Sequence, residues 1–169
     1  AETRILTPSL KGQKIGIVGL GLIGQAVAIR GEAFGMVPSW WGPREKPAAW
    51  PRAESLLALA GQSDILVVAC KVDDTNIGLI SHEVIQALGP QGLLVNVSRG
   101  QIVDESALIG ALTSGTLGQA ALDVFVQEPV DPALWAEVPN TVLTPHTAGA
   151  TQQSVQAMLM LLMQNLAAV

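Results

Sequence analysis

Cysteine, basic residues and long apolar runs are all scarce in this chain of 169 residues, and each shortage excludes a class of protein. The single cysteine, Cys70, rules out an internal disulfide framework and is typical of a reducing cytoplasm. Nine Lys and Arg against 14 Asp and Glu give a net charge of −5, which argues against a nucleic-acid-binding surface. No apolar run reaches the roughly 18 residues of a membrane helix, so we predict no membrane span. No secretory signal is recognisable, and we expect a cytoplasmic location.

The apolar residues lie in short segments that alternate between strand-like and helix-like spacing. Predicted strands cover 14–18, 36–41, 64–69, 93–97, 120–124 and 141–143, and predicted helices cover 22–34, 53–59, 81–88, 104–114 and 151–169. Strands that alternate with helices of this length form βαβ units. The predicted fold class is therefore α/β, with a doubly wound parallel sheet of the Rossmann type.

The segment between the second strand and the second helix is irregular. Residues 41–52 contain one glycine and three prolines and leave room for at most a vestigial third strand. Without that strand the second one would lie near the edge of the sheet. An edge position would tolerate Pro38, which cannot donate a ladder hydrogen bond.

The stretch KIGIVGLGLIGQAVA, residues 14–28, is the most informative part of the chain. It reads as a strand, a tight turn and the start of a helix, which is the phosphate-binding turn of a dinucleotide fold. Gly19 would make the turn, Gly21 would let a pyrophosphate approach the backbone, and Gly24 would let the helix pack on the strand. The amides of Leu22 and Ile23 at the helix N-terminus would face the anion. Taken alone, the pattern also fits a purely structural turn.

Several separated blocks, read together with this turn, resemble the D-isomer-specific 2-hydroxyacid dehydrogenases over nearly the whole chain. They are NVSRG at 96–100, VDESAL at 103–108, ALDVF at 121–125, EP at 128–129 and TPHTAG at 144–149. The chain looks most like the glyoxylate and hydroxypyruvate reductase branch. The resemblance implies a nucleotide-binding domain inserted into a discontinuous substrate domain. We therefore expect residues 1–169 to be an isolated dinucleotide-binding domain, poorly active alone, whose last helix packs on the missing domain or a dimer partner.

The family's catalytic triad maps onto Arg99, Glu128 and His146. Arg99 would hold the substrate carboxylate and polarise the ketone, His146 would be the general acid, and Glu128 would orient His146 and favour its charged form. Each of these residues also has a purely structural alternative. Arg99 could cap a strand end, Glu128 with the following proline could form a surface turn, and His146 could be a structural histidine. The resemblance also assigns cofactor contacts to Val97, Ser98, Arg99, Asp123, His146 and Ala148. Asp123, near the nicotinamide carboxamide, could instead simply cap the next turn.

The ribose position departs from the pattern of NAD-preferring members, in which an acidic residue ends the second strand. Gly42 stands at that position and Arg44 follows it. A small residue beside an arginine could accept a 2′-phosphate, so we predict NADP(H) as the preferred cofactor, with NAD(H) as the alternative. Glu45 could take the acidic role if the loop is unusually long. Trp40 and Trp41 either flank the adenine or belong to the core.

A second departure is the run KVDD at 71–74, where the family more often has Pro-Leu-Thr-Pro, which puts the ribose and phosphate contacts of this loop in doubt. His82 reads as a solvated residue in the first turn of a helix, and Cys70 reads as a packing residue. We predict no metal site.

The sequence thus favours the cofactor domain of an oxidoreductase that reduces a small 2-oxo acid such as glyoxylate or hydroxypyruvate, homodimeric when intact. The rival is a dinucleotide-sensing binding module, since the family also resembles transcriptional corepressors. A relative acting on formate or phosphite is a third possibility, which residues outside this chain would decide.

Overall fold

The computed structural model describes residues 9–167, which form a parallel six-stranded sheet with helices on its faces. The strands are β1 Lys14–Val18, β2 Val37–Trp41, β3 Ile65–Val68, β4 Leu93–Asn96, β5 Gln119–Leu122 and β6 Thr141–Leu143. The helices are α1 Leu22–Ala33, α2 Leu56–Gly61, α3 His82–Leu88, α4 Glu105–Ser114, α5 Pro132–Trp135 and α6 Gln152–Ala167, with a short 3₁₀ turn at Gly100–Ile102. The predicted doubly wound parallel sheet is confirmed.

The strand order is β2-β1-β3-β4-β5-β6, so the chain reverses direction across the sheet after β2. It runs from β1 outward to β2 and then returns to the other side of β1 as β3. The carboxyl ends of β1 and β3 therefore form the switch point at which open α/β sheets bind ligands.

Strand β2 lies at the edge of the sheet, as predicted, because the third strand is reduced to a single bridge between Trp40 and Arg52. The Trp40 amide donates to the Pro51 carbonyl at 3.0 Å, so Trp40 presents its backbone to the outer side. Backbone groups alternate sides along a strand, and Pro38 faces the same way. The missing N–H of Pro38 therefore falls where β2 has no partner strand.

Two apolar clusters pack on the sheet. The larger contains the apolar sides of α2, α3 and α4, with fully buried residues such as Leu59, Leu66 and Leu94. The smaller lies under α1 and includes Ile17 and Trp40. Burying both faces of β3 explains why it reads as a continuous apolar run.

Several predicted boundaries were wrong by a few residues, and the caps explain one of them. The second helix was predicted at 53–59 but begins at Leu56, because the Ser55 side chain accepts from the Ala58 amide at 3.0 Å and caps it. Asp104, the first residue of the predicted 104–114 helix, is the N-cap of α4, because its side chain accepts from the Ala107 amide at 3.0 Å. Strand β5 ends at Leu122, earlier than predicted, and α5 was missed altogether.

Helix α6 differs from the other helices because none of its residues is buried. The six consecutive apolar residues 158–163 are between 53% and 68% exposed. The first eight residues of the chain and the last two of the predicted 151–169 helix lie outside the described residues. Within 9–167, no helix combines the length and apolar character needed to cross a membrane.

Candidate functional site

The chemistry-bearing residues of the sequence gather at the carboxyl edge of the sheet because each follows a parallel strand. The glycine turn follows β1, the Arg99 turn follows β4, Asp123 follows β5 and His146 follows β6. Parallel strands end at one edge, so the topology alone places these four loops side by side.

The glycine turn has the geometry of an anion cradle. Gly19 has φ of +91°, and a Cβ added there would lie 2.6 Å from the Cys70 backbone. A Cβ on Gly24 would lie 2.2 Å from the Gly19 carbonyl oxygen, so α1 packs directly on the turn. A Cβ on Gly21 would meet nothing within 4 Å, which leaves its side of the turn open.

The N-terminus of α1 is free to bind an anion. Its N-cap, Gly21, has no side chain to bond the first amides, and the first turn contains no acidic residue. The amides of Leu22 and Ile23 thus point toward the opening with the positive end of the helix dipole behind them. These features fit a dinucleotide pyrophosphate.

A cavity of about 500 Å³ opens at the switch point. The predicted residues that line it are Gly21, Leu22, Ile23, Val97, Ser98 and Arg99. It is also lined by Lys71, from the KVDD run that departs from the family pattern. The glycine turn and the Arg99 turn therefore share one cleft.

Buried polar side chains fix the Arg99 turn. The Asn96 side chain, 1% exposed, accepts from the Ser98 amide and donates to the Arg99 carbonyl, both at 3.0 Å. The Ser98 hydroxyl donates to the Cys70 carbonyl, which ties this turn to the end of β3. Arg99 itself is exposed, and its guanidinium donates to the Ser98 carbonyl at 2.7 Å.

His146 and Glu128 form a direct pair, with 2.7 Å between His146 Nδ1 and Glu128 Oε2. The other carboxylate oxygen of Glu128 accepts from the Phe125 amide at 3.0 Å. The bond with His146 lowers the pKa of Glu128, and the Phe125 amide and the charge of Arg99 act in the same direction. Glu128 is therefore held ionised against the ring, and Nε2 of His146 remains available for proton transfer.

Asp123 organises the turn that carries His146. Its buried carboxylate accepts from the Thr144 hydroxyl at 2.5 Å and from the amides of Thr147 and Ala148, both at 2.9 Å. The Asp123 carbonyl accepts from the His146 amide at 2.8 Å, and His146 has φ of +54°. Burial alone would raise the pKa of Asp123, but the bonds from Thr144, Ala148 and Thr147 outweigh it and lower the pKa. The geometry thus gives Asp123 a turn-capping role.

The predicted ribose position, Gly42, lies at the start of an exposed loop that follows β2. Gly42 is buried, and its carbonyl accepts from the Arg52 guanidinium at 2.7 Å. Arg44 and Glu45 are both exposed on this loop. The Lys46 ammonium donates to the Leu20 carbonyl in the glycine turn, which ties the loop to the phosphate cradle.

The two tryptophans occupy different environments. Trp40 is 2% exposed and belongs to the smaller core, so an adenine contact was the wrong alternative for it. The Lys46 ammonium and the Arg52 guanidinium lie 5.7 and 5.8 Å from its ring centroid. Trp41 is only half-buried and, with Gly42, lines a cavity of about 110 Å³ beside the glycine turn.

His82 and Cys70 are the two residues for which we predicted no chemical role. His82 is exposed at the start of α3. Cys70 is half-buried below the glycine turn, and burial raises the pKa of its thiol, which therefore stays protonated at neutral pH. Within the described part of the chain, no group of three or more His, Cys, Asp or Glu side chains is arranged to hold a metal ion.

Sequence reasoning missed three residues at this edge: Lys46, Arg52 and Glu105. Each bonds a backbone group 10 to 26 positions away in the sequence, and such contacts have no sequence periodicity. Only Glu105 carried a signal, because it lies in the VDESAL block at 103–108.

Comparison with known proteins agrees with this geometry. Residues 1–148 match the family described as "D-isomer specific 2-hydroxyacid dehydrogenase, NAD binding domain". The chain is 44% identical to hydroxyphenylpyruvate reductase of Plectranthus scutellarioides and 43% identical to glyoxylate/hydroxypyruvate reductase A of Arabidopsis thaliana. Each alignment covers 96% of this chain and 52% of the relative.

A similar solved structure is the NADPH-dependent glyoxylate/hydroxypyruvate reductase from Sinorhizobium meliloti in complex with NADP and malonate. It matches with a TM-score of 0.91 and 38% identity, over 98% of this chain and 52% of that one. The chain thus spans about half the length of the curated relatives it matches. On this evidence, the chain belongs to the D-isomer-specific 2-hydroxyacid dehydrogenase family and contains its NAD-binding domain.

Proposed function

We propose that this chain is the nucleotide-binding half of an NADP(H)-dependent oxidoreductase that reduces a small 2-oxo acid such as glyoxylate or hydroxypyruvate. The observation that carries the proposal is the His146–Glu128 pair at 2.7 Å, on the same sheet edge as Arg99 and the open glycine turn. Residues 1–169 form one dinucleotide-binding domain, and a longer protein supplies the substrate domain. The 52% coverage of the relatives supports this division.

Each residue of the triad has a separate task. Arg99 binds the substrate carboxylate and polarises the ketone oxygen, for which its planar, permanently charged guanidinium is suited. His146 delivers a proton from Nε2 to the oxygen that gains charge, because Nδ1 is engaged by Glu128. Glu128 fixes the orientation of the ring through Nδ1. The bound dinucleotide supplies the hydride.

The cofactor is held by the glycine turn and by the loops after β4, β5 and β6. The free amides of α1 fit the pyrophosphate. The residues proposed to contact the cofactor are Gly19, Gly21, Leu22, Ile23, Gly24, Gly42, Arg44, Val97, Ser98, Arg99, Asp123, His146 and Ala148. The Asp123 carboxylate accepts three hydrogen bonds within the protein. Because each carboxylate oxygen has two lone pairs, it can accept one more hydrogen bond, from the cofactor.

The preference for NADP(H) rests on charge. Gly42 removes the carboxylate that would repel a 2′-phosphate, and Arg44 is exposed beside it. Lys46 and Arg52 add positive charge to the same loop. Glu45, also exposed, is the single acidic residue of 42–52 and the basis of the NAD(H) alternative.

Calorimetric titration of the chain with NADPH and NADH tests this preference. We expect tighter binding of NADPH, and an Arg44→Ala variant should lose about tenfold or more of that affinity, the equivalent of one charge-assisted hydrogen bond. NADH affinity should barely change in the variant and serves as its internal control. Tighter NADH binding that depends on Glu45 would overturn the preference.

Turnover by the full-length enzyme tests the catalytic assignment. We expect reduction of glyoxylate or hydroxypyruvate with NADPH, and a His146→Gln variant should lose about 10² to 10⁴ in kcat. The isolated chain should turn over poorly, because half of the substrate cleft is absent. Failure of the full-length protein to reduce any 2-oxo acid with either cofactor would refute the enzymatic function.

We also propose that the intact protein is a homodimer in which α6 contributes to the interface. Residues 157–163 of the helix are all apolar, and residues 158–163 are all more than half exposed, which is a surface that proteins normally cover. Sedimentation equilibrium of this chain tests the proposal. A strict monomer at high concentration would assign α6 to the substrate domain instead.

The rival reading as a corepressor-like sensor gains no support from the relatives above, all of which are reductases by name. A cytoplasmic location remains our proposal, and the single free cysteine supports it.

A further inference from the structure

The turn that carries Glu128, residues 125–128, is held from outside as well as by its own bonds. The Val126 amide donates to the Glu105 carboxylate at 3.3 Å, across 21 positions of sequence. The neighbouring Phe125 amide donates to Glu128 at 3.0 Å. Consecutive amides of this turn are thus bound by two carboxylates, one that contacts His146 and one from α4.

The back of this turn rests on the Arg99 turn. A Cβ added to Gly100 would lie 1.9 Å from the Phe125 carbonyl carbon and 2.3 Å from the Val126 nitrogen. The residue after Arg99 therefore packs backbone against backbone on the peptide between Phe125 and Val126. Any displacement of this peptide would change the geometry between Arg99 and Glu128.

Glu105 is attached to a rigid part of the fold. It is the first residue of α4, whose N-cap Asp104 bonds the Ala107 amide at 3.0 Å. The Asp104 amide donates to the Ile80 carbonyl at 3.1 Å, and Val103 just before it is 5% exposed. The Glu105 carboxylate is therefore presented to the turn from an anchored backbone.

We propose that Glu105 is a positioning residue that holds the 125–128 turn so that Glu128 meets His146 Nδ1 while Arg99 stays in register. The inference rests on the proposed function, since it assigns Glu105 a part in the same site. The bond from Val126 is exposed, so without Glu105 the amide would turn to water and the peptide would be free to shift. Glu128 would then be fixed only by its own contacts and by Gly100.

Two variants separate positioning from simple stability. Glu105→Met removes the acceptor but keeps length and helix propensity, and Glu105→Gln keeps an acceptor oxygen in place. In the full-length enzyme we expect Glu105→Met to lower kcat about three- to tenfold, as the loss of one hydrogen bond would, with KM for NADPH unchanged. The kcat of Glu105→Gln should stay within about twofold of the parent value. Ser106→Ala, which breaks only the Ser106–Asp104 bond at the same helix start, is the matched control.

A second measurement does not depend on turnover. The chain has two histidines, and ring ¹⁵N NMR signals of His146 report its bond to Glu128, while His82 on α3 is an internal reference. In Glu105→Met the His146 signals should move toward those of a free imidazole, and the His82 signals should not. Unchanged His146 signals, or equal losses in the Met and Gln variants, would overturn the inference. An inactive full-length parent with the expected NMR shifts would refute the proposed function alone.

Discussion

The two ends of the cofactor cleft are built in different ways. At the end that carries the proposed triad (the catalytic end), the turns after β4 to β6 are fixed by buried or backbone-directed groups. Asn96 bonds two backbone atoms, and Asp123 accepts three hydrogen bonds. At the ribose end, the loop after β2 carries exposed Arg44 and Lys46 on a segment that replaces a strand. The catalytic end holds its residues in fixed positions, whereas the ribose end presents positive charge.

Under the proposed function, the two ends of the cleft have different tasks. Proton transfer and ketone polarisation depend on geometry, and a misplacement of about 1 Å can cost a hundredfold in rate. Recognition of a 2′-phosphate depends mainly on charge, which several flexible cations can supply. We therefore expect substitutions at the catalytic end to affect stability and site geometry together, and those at the ribose end to affect cofactor choice alone.

The largest effect is expected from Gly100→Ala. The added Cβ would overlap the Phe125 backbone at 1.9 Å, so the Arg99 and Glu128 turns must separate. We expect a loss of about 3 kcal/mol in the free energy of unfolding, measured by urea denaturation. Gly110→Ala in α4 is the matched control, since its Cβ meets nothing within 4 Å, and it should stabilise the chain by about 0.5–1 kcal/mol. Equal behaviour of the two variants would mean that the two turns are not rigidly joined.

Asp123→Asn should have the next largest effect, a loss of about 1–3 kcal/mol at neutral pH, because the buried carboxylate accepts three hydrogen bonds. Its pKa is lowered in the folded chain, so its contribution is complete above the ordinary value of about 4 and is lost as the pH falls through the folded value. The free energy of unfolding of the parent should therefore fall more steeply below pH about 4 than that of the variant. Parallel pH profiles would contradict the assignment.

The sequence predicted what depends on local pattern and on strand direction. Apolar runs such as 64–69 gave the strands, and parallel order then placed Arg99, Asp123 and His146 at one edge. It could not predict α5, whose four residues are too short for a helical period. Nor could it predict the bonds of Glu105 and Lys46, which join loops 21 and 26 positions apart through tertiary packing.

Lys46→Met should have the smallest effect and sharpens the contrast from the ribose end. The exposed ammonium bonds the Leu20 carbonyl and lies 5.7 Å from the Trp40 ring centroid, contacts worth at most about 1 kcal/mol at an exposed site. We expect NADPH affinity, measured by calorimetry, to fall about two- to fivefold while NADH affinity and urea stability stay near the parent. Lys11→Met is the control, because Lys11 precedes β1 and so lies at the amino ends of the strands, away from the cleft. A loss of NADH affinity as large as that of NADPH would mean that Lys46 fixes the glycine turn, and the ribose end would then depend on geometry as the catalytic end does.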